Sequence, residues 1–360
     1  MLFPGRLSEL PPSAFAKLAT LLDPHKPGRP PISLAVGDPN GAVPDFVAEA
    51  IARHAAEFGT YPPINGSAEW RAAAAGWLTR RFALAEGSID PDKNLLPLNG
   101  TREGLFLAAF TVMPETKAGQ RPAVLLPNPF YQCYAAAALS AGGEPVFVPA
   151  TAATGFLPDY ASLPKALLER TAVVYLCSPS NPEGACSDES YWRTLFALAD
   201  QYDFTVFADE CYADIYLDKP PVGALPGAGA RLTSALLTFH SLSKRSGPAR
   251  AALGYRGGRG RADRALPPVP QLCRPASAAA DHRGERRRRG ATRRTSRRTA
   301  RAIARNSAWR SGYWATAPFS GCRRAGSSCG SMSAMARRPR SSYGARPASA
   351  PCPAPSWVEK

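Results

Sequence analysis

Apolar and polar positions alternate in two distinct rhythms over the first two-thirds of the chain. After Pro44-Asp45, apolar residues fall at Phe46, Val47, Ala50 and Ile51, the spacing of a helix with one buried face. Tyr61-Pro62-Pro63-Ile64-Asn65-Gly66 breaks that pattern. A second helix is predicted from residue 67 to about 84, with Trp70, Ala74, Trp77 and Leu78 on its packed stripe. Short apolar runs then predict strands at 95–98, 123–126, 144–148, 172–177, 205–208 and 236–239. Helices are predicted between them: from Thr101 through Phe110, from about Tyr131, and over 191–202. Strands alternating with helices imply an α/β fold, a mostly parallel sheet with helices on both faces. In such sheets ligands bind beyond the carboxyl ends of the strands.

The rhythm stops near Gly247. Residues 1–45 are proline-rich, with a short helical stretch around 7–22 and a strand at 32–36. Residues 46–246 read as the folded domain. Residues 247–360 are dominated by Arg, Pro, Gly, Ser and Ala, show no credible strand, and read as a disordered tail. Charge sharpens the division. Residues 1–244 hold 18 Lys and Arg against 24 Asp and Glu, whereas 245–360 hold 26 against 4, all but Lys360 being arginine. The overall formal charge of +16 therefore describes neither part. There is no apolar run of eighteen residues, so no membrane span is expected, and the N-terminus lacks the order of a secretory signal. The 8 cysteines form no C-x-x-C pair and imply reduced thiols in the cytoplasm. His25, His54, His240 and His282 have no ligand-spaced cysteines, and no metal site is expected.

The distinctive residues lie at the predicted strand ends. Phe239-His240-Ser241-Leu242-Ser243-Lys244 sets a lysine just after a strand, with hydroxyls one and three positions before it. An amine held at the mouth of a sheet and kept partly neutral suits Schiff-base chemistry, and the serines can bond a phosphate. Alone, the segment reads more readily as a surface turn. Asp209 ends the strand at 205–208 and can pair with a protonated pyridine nitrogen, or can simply cap a helix. Asn181, in Ser178-Pro179-Ser180-Asn181-Pro182-Glu183-Gly184, can donate to a phenolate oxygen or belong to an ordinary Asn-Pro turn. Asn99-Gly100-Thr101-Arg102 opens a helix whose N–H groups can cradle a phosphate, with a plain Thr101 cap as the alternative. Tyr131, in Pro127-Asn128-Pro129-Phe130-Tyr131, can stack on a flat ring or pack in the core.

Taken in order, these segments resemble the fold-type I, class I/II aminotransferases, which use pyridoxal 5'-phosphate (PLP). The resemblance runs from the Gly37 loop through Tyr61-Pro62-Pro63, Gly100-Thr101-Arg102, Pro129-Phe130-Tyr131, Asn181-Pro182-Glu183-Gly184 and Asp209-Glu210-Cys211-Tyr212 to Ser241-Leu242-Ser243-Lys244. It covers about residues 5–246, and the wording is most similar to the bacterial succinyldiaminopimelate transaminases of lysine biosynthesis. The resemblance implies that Lys244 holds PLP as a Schiff base and moves the substrate's Cα proton. It implies that Asp209 bonds the pyridine nitrogen, that Asn181 and Tyr212 bond the ring's O3′, and that Tyr131 stacks on the ring. Gly100, Thr101, Arg102, Ser241 and Ser243 would surround the phosphate, and Gly37 would lie near the substrate carboxylate. Tyr61 would reach the neighbouring subunit's phosphate, which implies a homodimer acting on small amino and keto acids, glutamate and an N-succinylated keto acid among them.

Past the lysine the likeness weakens. Family members continue with Asn-Val-Pro-Gly-Leu-Arg-Ser-Gly, whose arginine grips the phosphate, and in that register this chain has Ala252, with Arg250 out of step. The late arginine that binds the substrate carboxylate has no counterpart among residues 256–360. The abrupt end of the match and the arginine-rich composition suggest a frameshifted reading of the small C-terminal domain. The expectation is a small domain lost or unfolded, part of the sheet missing, and turnover impaired. Two other readings stay open: another PLP reaction on the same scaffold, such as a lyase or acyltransferase, and non-specific nucleic-acid binding through the basic tail.

Overall fold

The structure, a computed structural model, describes residues 5, 13–25, 27–30, 45–59, 61, 63–228, 236–246 and 252–256. The expected strand at 32–36 and the Gly37 loop lie outside those residues, as does the tail beyond 256. Helix α1 (Ala14–Leu22) precedes the domain, which opens with α2 (Asp45–Arg53). It then runs α3 (Ala68–Arg81), β1 (Leu95–Leu98), α4 (Thr101–Val112), β2 (Ala123–Asn128), α5 (Gln132–Ser140) and β3 (Glu144–Pro149). There follow α6 (Lys165–Glu169), β4 (Thr171–Cys177), α7 (Glu189–Tyr202), β5 (Thr205–Asp209), α8 (Ala224–Ala228), β6 (Leu236–Ser241), α9 (Leu242–Ser246) and β7 (Ala252–Arg256).

The strands form one seven-stranded sheet in the order β1-β7-β6-β5-β4-β2-β3. All pairings are parallel except those of β7, which is antiparallel to both β1 and β6. The sheet is buried on both faces, so its central strands read as continuous apolar runs rather than alternating ones. Alternate residues nevertheless enter different cores. Leu125, Val174, Leu176, Val206 and Leu236 pack with Trp70, Leu78 and Trp192 from α3 and α7. Their neighbours Val124, Val173, Tyr175, Phe207 and Phe239 pack with Leu105, Ala109 and Tyr134 from α4 and α5. Ser67 caps α3 by accepting from the Trp70 N–H, and Asp188 caps α7 by accepting from the Tyr191 N–H at 2.8 Å. Helix α4 lies directly on the sheet because Gly104 has no side chain: a Cβ there would meet Leu98 Cδ1 at 2.4 Å and Phe239 Cε1 at 3.1 Å.

The sequence pattern misses β7 and ends the sheet too early. Ala252-Leu253-Gly254-Tyr255-Arg256 has weak strand propensity, with alanine and glycine in a segment of five. It is fixed instead by ladders on both sides: Leu95 pairs with Tyr255 and Leu98 with Ala252, while Phe239 pairs with Gly254 and Ser241 with Ala252. Strand formation here follows from the neighbours' edges rather than from local preference. The expected loss of part of the sheet is thereby corrected.

Candidate active site

The carboxyl ends of β1, β2, β4, β5 and β6 deliver the distinctive residues to one edge of the sheet. Backbone hydrogen bonds carry the alignment past the strands. The Ser178 N–H donates to the Asp209 carbonyl at 3.1 Å, and the Glu210 N–H donates to the Phe239 carbonyl at 2.9 Å.

Asp209 is the last residue of β5 and is buried. Its carboxylate accepts from the Tyr134 hydroxyl at 2.6 Å and from the Cys211 N–H at 3.2 Å. Burial raises its pKa, against the opposing pull of those hydrogen bonds. No cationic side chain pairs with it among the described residues. A desolvated carboxylate of this kind is suited to pair with a positively charged donor. Tyr134 is itself held by stacking on Tyr175, 4.5 Å between centroids, and Tyr175 donates to the Leu105 carbonyl at 2.8 Å. The sequence reading did not single out Tyr134; its one available signal was a position one helical turn after Tyr131.

Asn181, Tyr212 and Lys244 meet beside this carboxylate's loop. The Asn181 amide donates to the Tyr212 hydroxyl at 3.1 Å, joining the two residues expected to share one acceptor. Burial pushes the Tyr212 phenol upward, so it stays a neutral donor. Lys244 Nζ lies 5.9 Å from the centroid of the Tyr212 ring. The lysine sits in α9, the single turn that follows β6.

The expected phosphate end is assembled from three segments. Gly100 caps α4 at φ 143°, a conformation L side chains rarely adopt, with open space where a Cβ would sit. The Thr101 hydroxyl accepts from the Cys211 thiol at 3.0 Å, tying this turn to the Asp209 loop. Arg102 Nε donates to the Tyr131 hydroxyl, and its guanidinium carbon lies 5.5 Å from the Tyr131 ring centroid. Tyr131 meets Tyr134 edge-on at 5.6 Å. Ser241 ends β6 and Ser243 lies within α9, both partly buried. Tyr61 is not brought to this group: its side chain is 93% exposed. The donor set fits PLP: a buried carboxylate without a cation, a paired amide and phenol, an amine beside them, and an open backbone cradle at a helix start.

The protein family described as aminotransferase class I and II matches residues 29–273, beyond the 5–246 over which the motifs carry the likeness. An LL-diaminopimelate aminotransferase of Desulforudis audaxviator (strain MP104C) is 34% identical over 249 residues, 66% of this chain and 59% of that one. One from Aquifex aeolicus (strain VF5) is 34% identical over 250 residues, 67% of this chain and 61% of that one. The chain thus spans about three-fifths of these relatives' length. An aminotransferase structure from Neisseria meningitidis Z2491 superposes with a TM-score of 0.74 at 32% identity, covering 84% of this chain and 78% of that one.

Proposed function

Since the chain belongs to the class I and II aminotransferases, whose cofactor is PLP, we propose that it moves an amino group between an amino acid and a keto acid with PLP carried on Lys244. The observation that carries this reading is the convergence of Asp209, the Asn181–Tyr212 pair and Lys244 at one sheet edge. Bound PLP supplies an electron sink for the substrate's Cα bonds. The chain's own residues do the rest. Asp209 would hold the pyridine N–H and keep the ring polarised. Asn181 and Tyr212 would bond O3′. Tyr131 would stack on the ring, while Gly100, Thr101, Arg102, Ser241 and Ser243 would receive the phosphate. Lys244 carries the proton at the substrate's Cα. Tyr61 would serve the second subunit of a homodimer.

We place its substrates in the diaminopimelate branch of lysine biosynthesis, with glutamate as donor. The names of the relatives support diaminopimelate, and the segment wording around Lys244 supports the N-succinylated keto acid as acceptor. The four described cysteines are free, consistent with a cytoplasmic enzyme. Borohydride treatment of PLP-loaded protein should label Lys244, and glutamate should bleach the visible band of the loaded protein. Absence of label at Lys244 would overturn the reading.

Turnover is expected to be impaired, and the register supplies a reason. Position 252 pairs with both Ser241 and Leu98, next to two phosphate segments, yet it is alanine. Ala252→Arg is therefore expected to tighten PLP binding by about tenfold or more, since a hydrogen bond to a charged group contributes roughly 1.5–3 kcal/mol. Titration of the visible band measures it, and an unchanged affinity argues against this register. The composition after residue 256 supports a frameshifted origin, which resequencing the gene tests.

A further inference from the structure

Helix α9 has only five residues, too few for its own hydrogen bonds to hold it in place. Its position depends on side-chain contacts, and it touches the loop after β5 at two points. One is Lys244 over the Tyr212 ring. The other lies at the adjacent residue. Arg245 is almost fully buried, with its side chain 5% exposed, its Nε 3.8 Å from Asp214 Oδ2 and its guanidinium carbon 4.5 Å from the Trp77 ring centroid. Asp214 is partly buried, with its side chain 11% exposed, and is anchored from α3, because Arg81 Nε donates to its other oxygen at 2.9 Å. Arg81 further donates to the carbonyls of Ala213 at 2.7 Å and Pro221 at 3.3 Å. One carboxylate therefore ties the lysine's turn, the Tyr212 loop and α3 together. Pulling the nearly buried Arg245 charge away from this carboxylate is costly, so the contact resists displacement of the lysine's turn.

We propose that Arg245 and Asp214 are positioning residues for Lys244, a second contact that fixes the amine's distance from the Tyr212–Asn181 pair. The inference rests on the reading that Lys244 carries PLP, so its test has two arms in the full-length chain. In the first, PLP-loaded protein is trapped with borohydride and the label at Lys244 is compared with that at Lys165, an exposed lysine. Asp214→Asn and Arg245→Met are expected to lower the Lys244:Lys165 ratio by about tenfold, as misplacement of a reacting group by an ångström can. Arg245→Lys, which keeps the charge, is expected to recover most of it. In the second arm, amide exchange of the 242–246 turn is followed in cofactor-free protein and should quicken in the same two variants. An unchanged ratio and unchanged exchange overturn the proposal, as does a lowered melting temperature with the ratio intact. If Arg245→Met does not fold, the nearly isosteric Asp214→Asn decides. Wild-type protein unlabelled at Lys244 sinks the cofactor reading, while the exchange arm still decides the clamp.

Discussion

Asp209 sits where stability and binding pull in opposite directions. Its carboxylate is desolvated, bonded to the Tyr134 hydroxyl and the Cys211 N–H, and its pKa is raised by burial. Asp209→Asn keeps the shape and removes the charge. It should raise the melting temperature of the cofactor-free protein while weakening PLP binding by about ten- to a hundredfold. Parallel melting and cofactor titration check both signs, and a variant that binds as tightly as wild type removes Asp209 from the site. Behind it, Glu210 and His240 form a buried neutral pair, Nε2 to Oε2 at 3.3 Å, beside Trp77 and Phe82. Desolvation pushes Glu210 from 4.5 up to about 8, and pushes His240 from 6.5 down to about 3 with help from Arg81 and Arg245. Between pH 4.5 and 8 the folded state holds more protons on Glu210 than the unfolded chain, so this group's contribution to stability falls as pH rises. For His240 the folded state holds fewer, so its contribution falls as pH drops from 6.5 to 3. The two slopes oppose each other between 4.5 and 6.5. Glu210→Gln should thus flatten the loss of melting temperature between pH 6.5 and 8 and leave the acid limb intact. Persistence of the alkaline slope in that variant would show that another group causes it. At this scale the sequence is partly legible. Lys244, Asp209, Asn181 and Tyr212 announce themselves because each ends a strand or follows one. Tyr134 and Asp214 do not, because their partners lie 75 residues away for Tyr134 and 133 for Asp214 and no spacing encodes the meeting.

Among the elements, the parallel strands were readable as apolar runs and the long helices by their stripes. Helix α7 matches its expected span to within two residues at its start, the two added residues following from the Asp188 cap. Short helices such as α6 and α8 were not readable, since five residues carry too little periodicity. Strand β7 failed for a different reason: it borrows its order from β1 and β6. Its removal therefore has a sharp consequence. A chain ending after residue 246 leaves β1 without a partner and bares β6 as an edge, the strand that leads to Lys244. That product is expected to aggregate, whereas one ending after residue 260 should stay soluble with native helix content. Circular dichroism and sedimentation of the two products compare them directly, and equal solubility would deny β7 its structural role.

For the whole molecule, two apolar cores on opposite faces of one sheet account for the domain, and both were foreseen from the strand–helix alternation. Assembly was foreseen only through resemblance. Apolar side chains are nonetheless left outside: Phe15, Leu21 and Leu22 on α1 are 56%, 66% and 54% exposed, and Tyr61 is more exposed still. A homodimer is expected by light scattering, with Tyr61→Ala weakening PLP binding at protein concentrations where the dimer persists. A Tyr61→Ala dimer that binds PLP as tightly as the wild-type dimer would remove Tyr61 from the site. The place of β7 also shapes how the molecule is made. As the nascent polypeptide leaves the ribosome, β2 to β6 can zip up in turn, but β1 must wait, its berth beside them still vacant. The reactive lysine's strand is the open rim of this growing assembly until codons 252–256 are translated. A stall just before them would yield an adhesive five-stranded sheet, not a smaller enzyme.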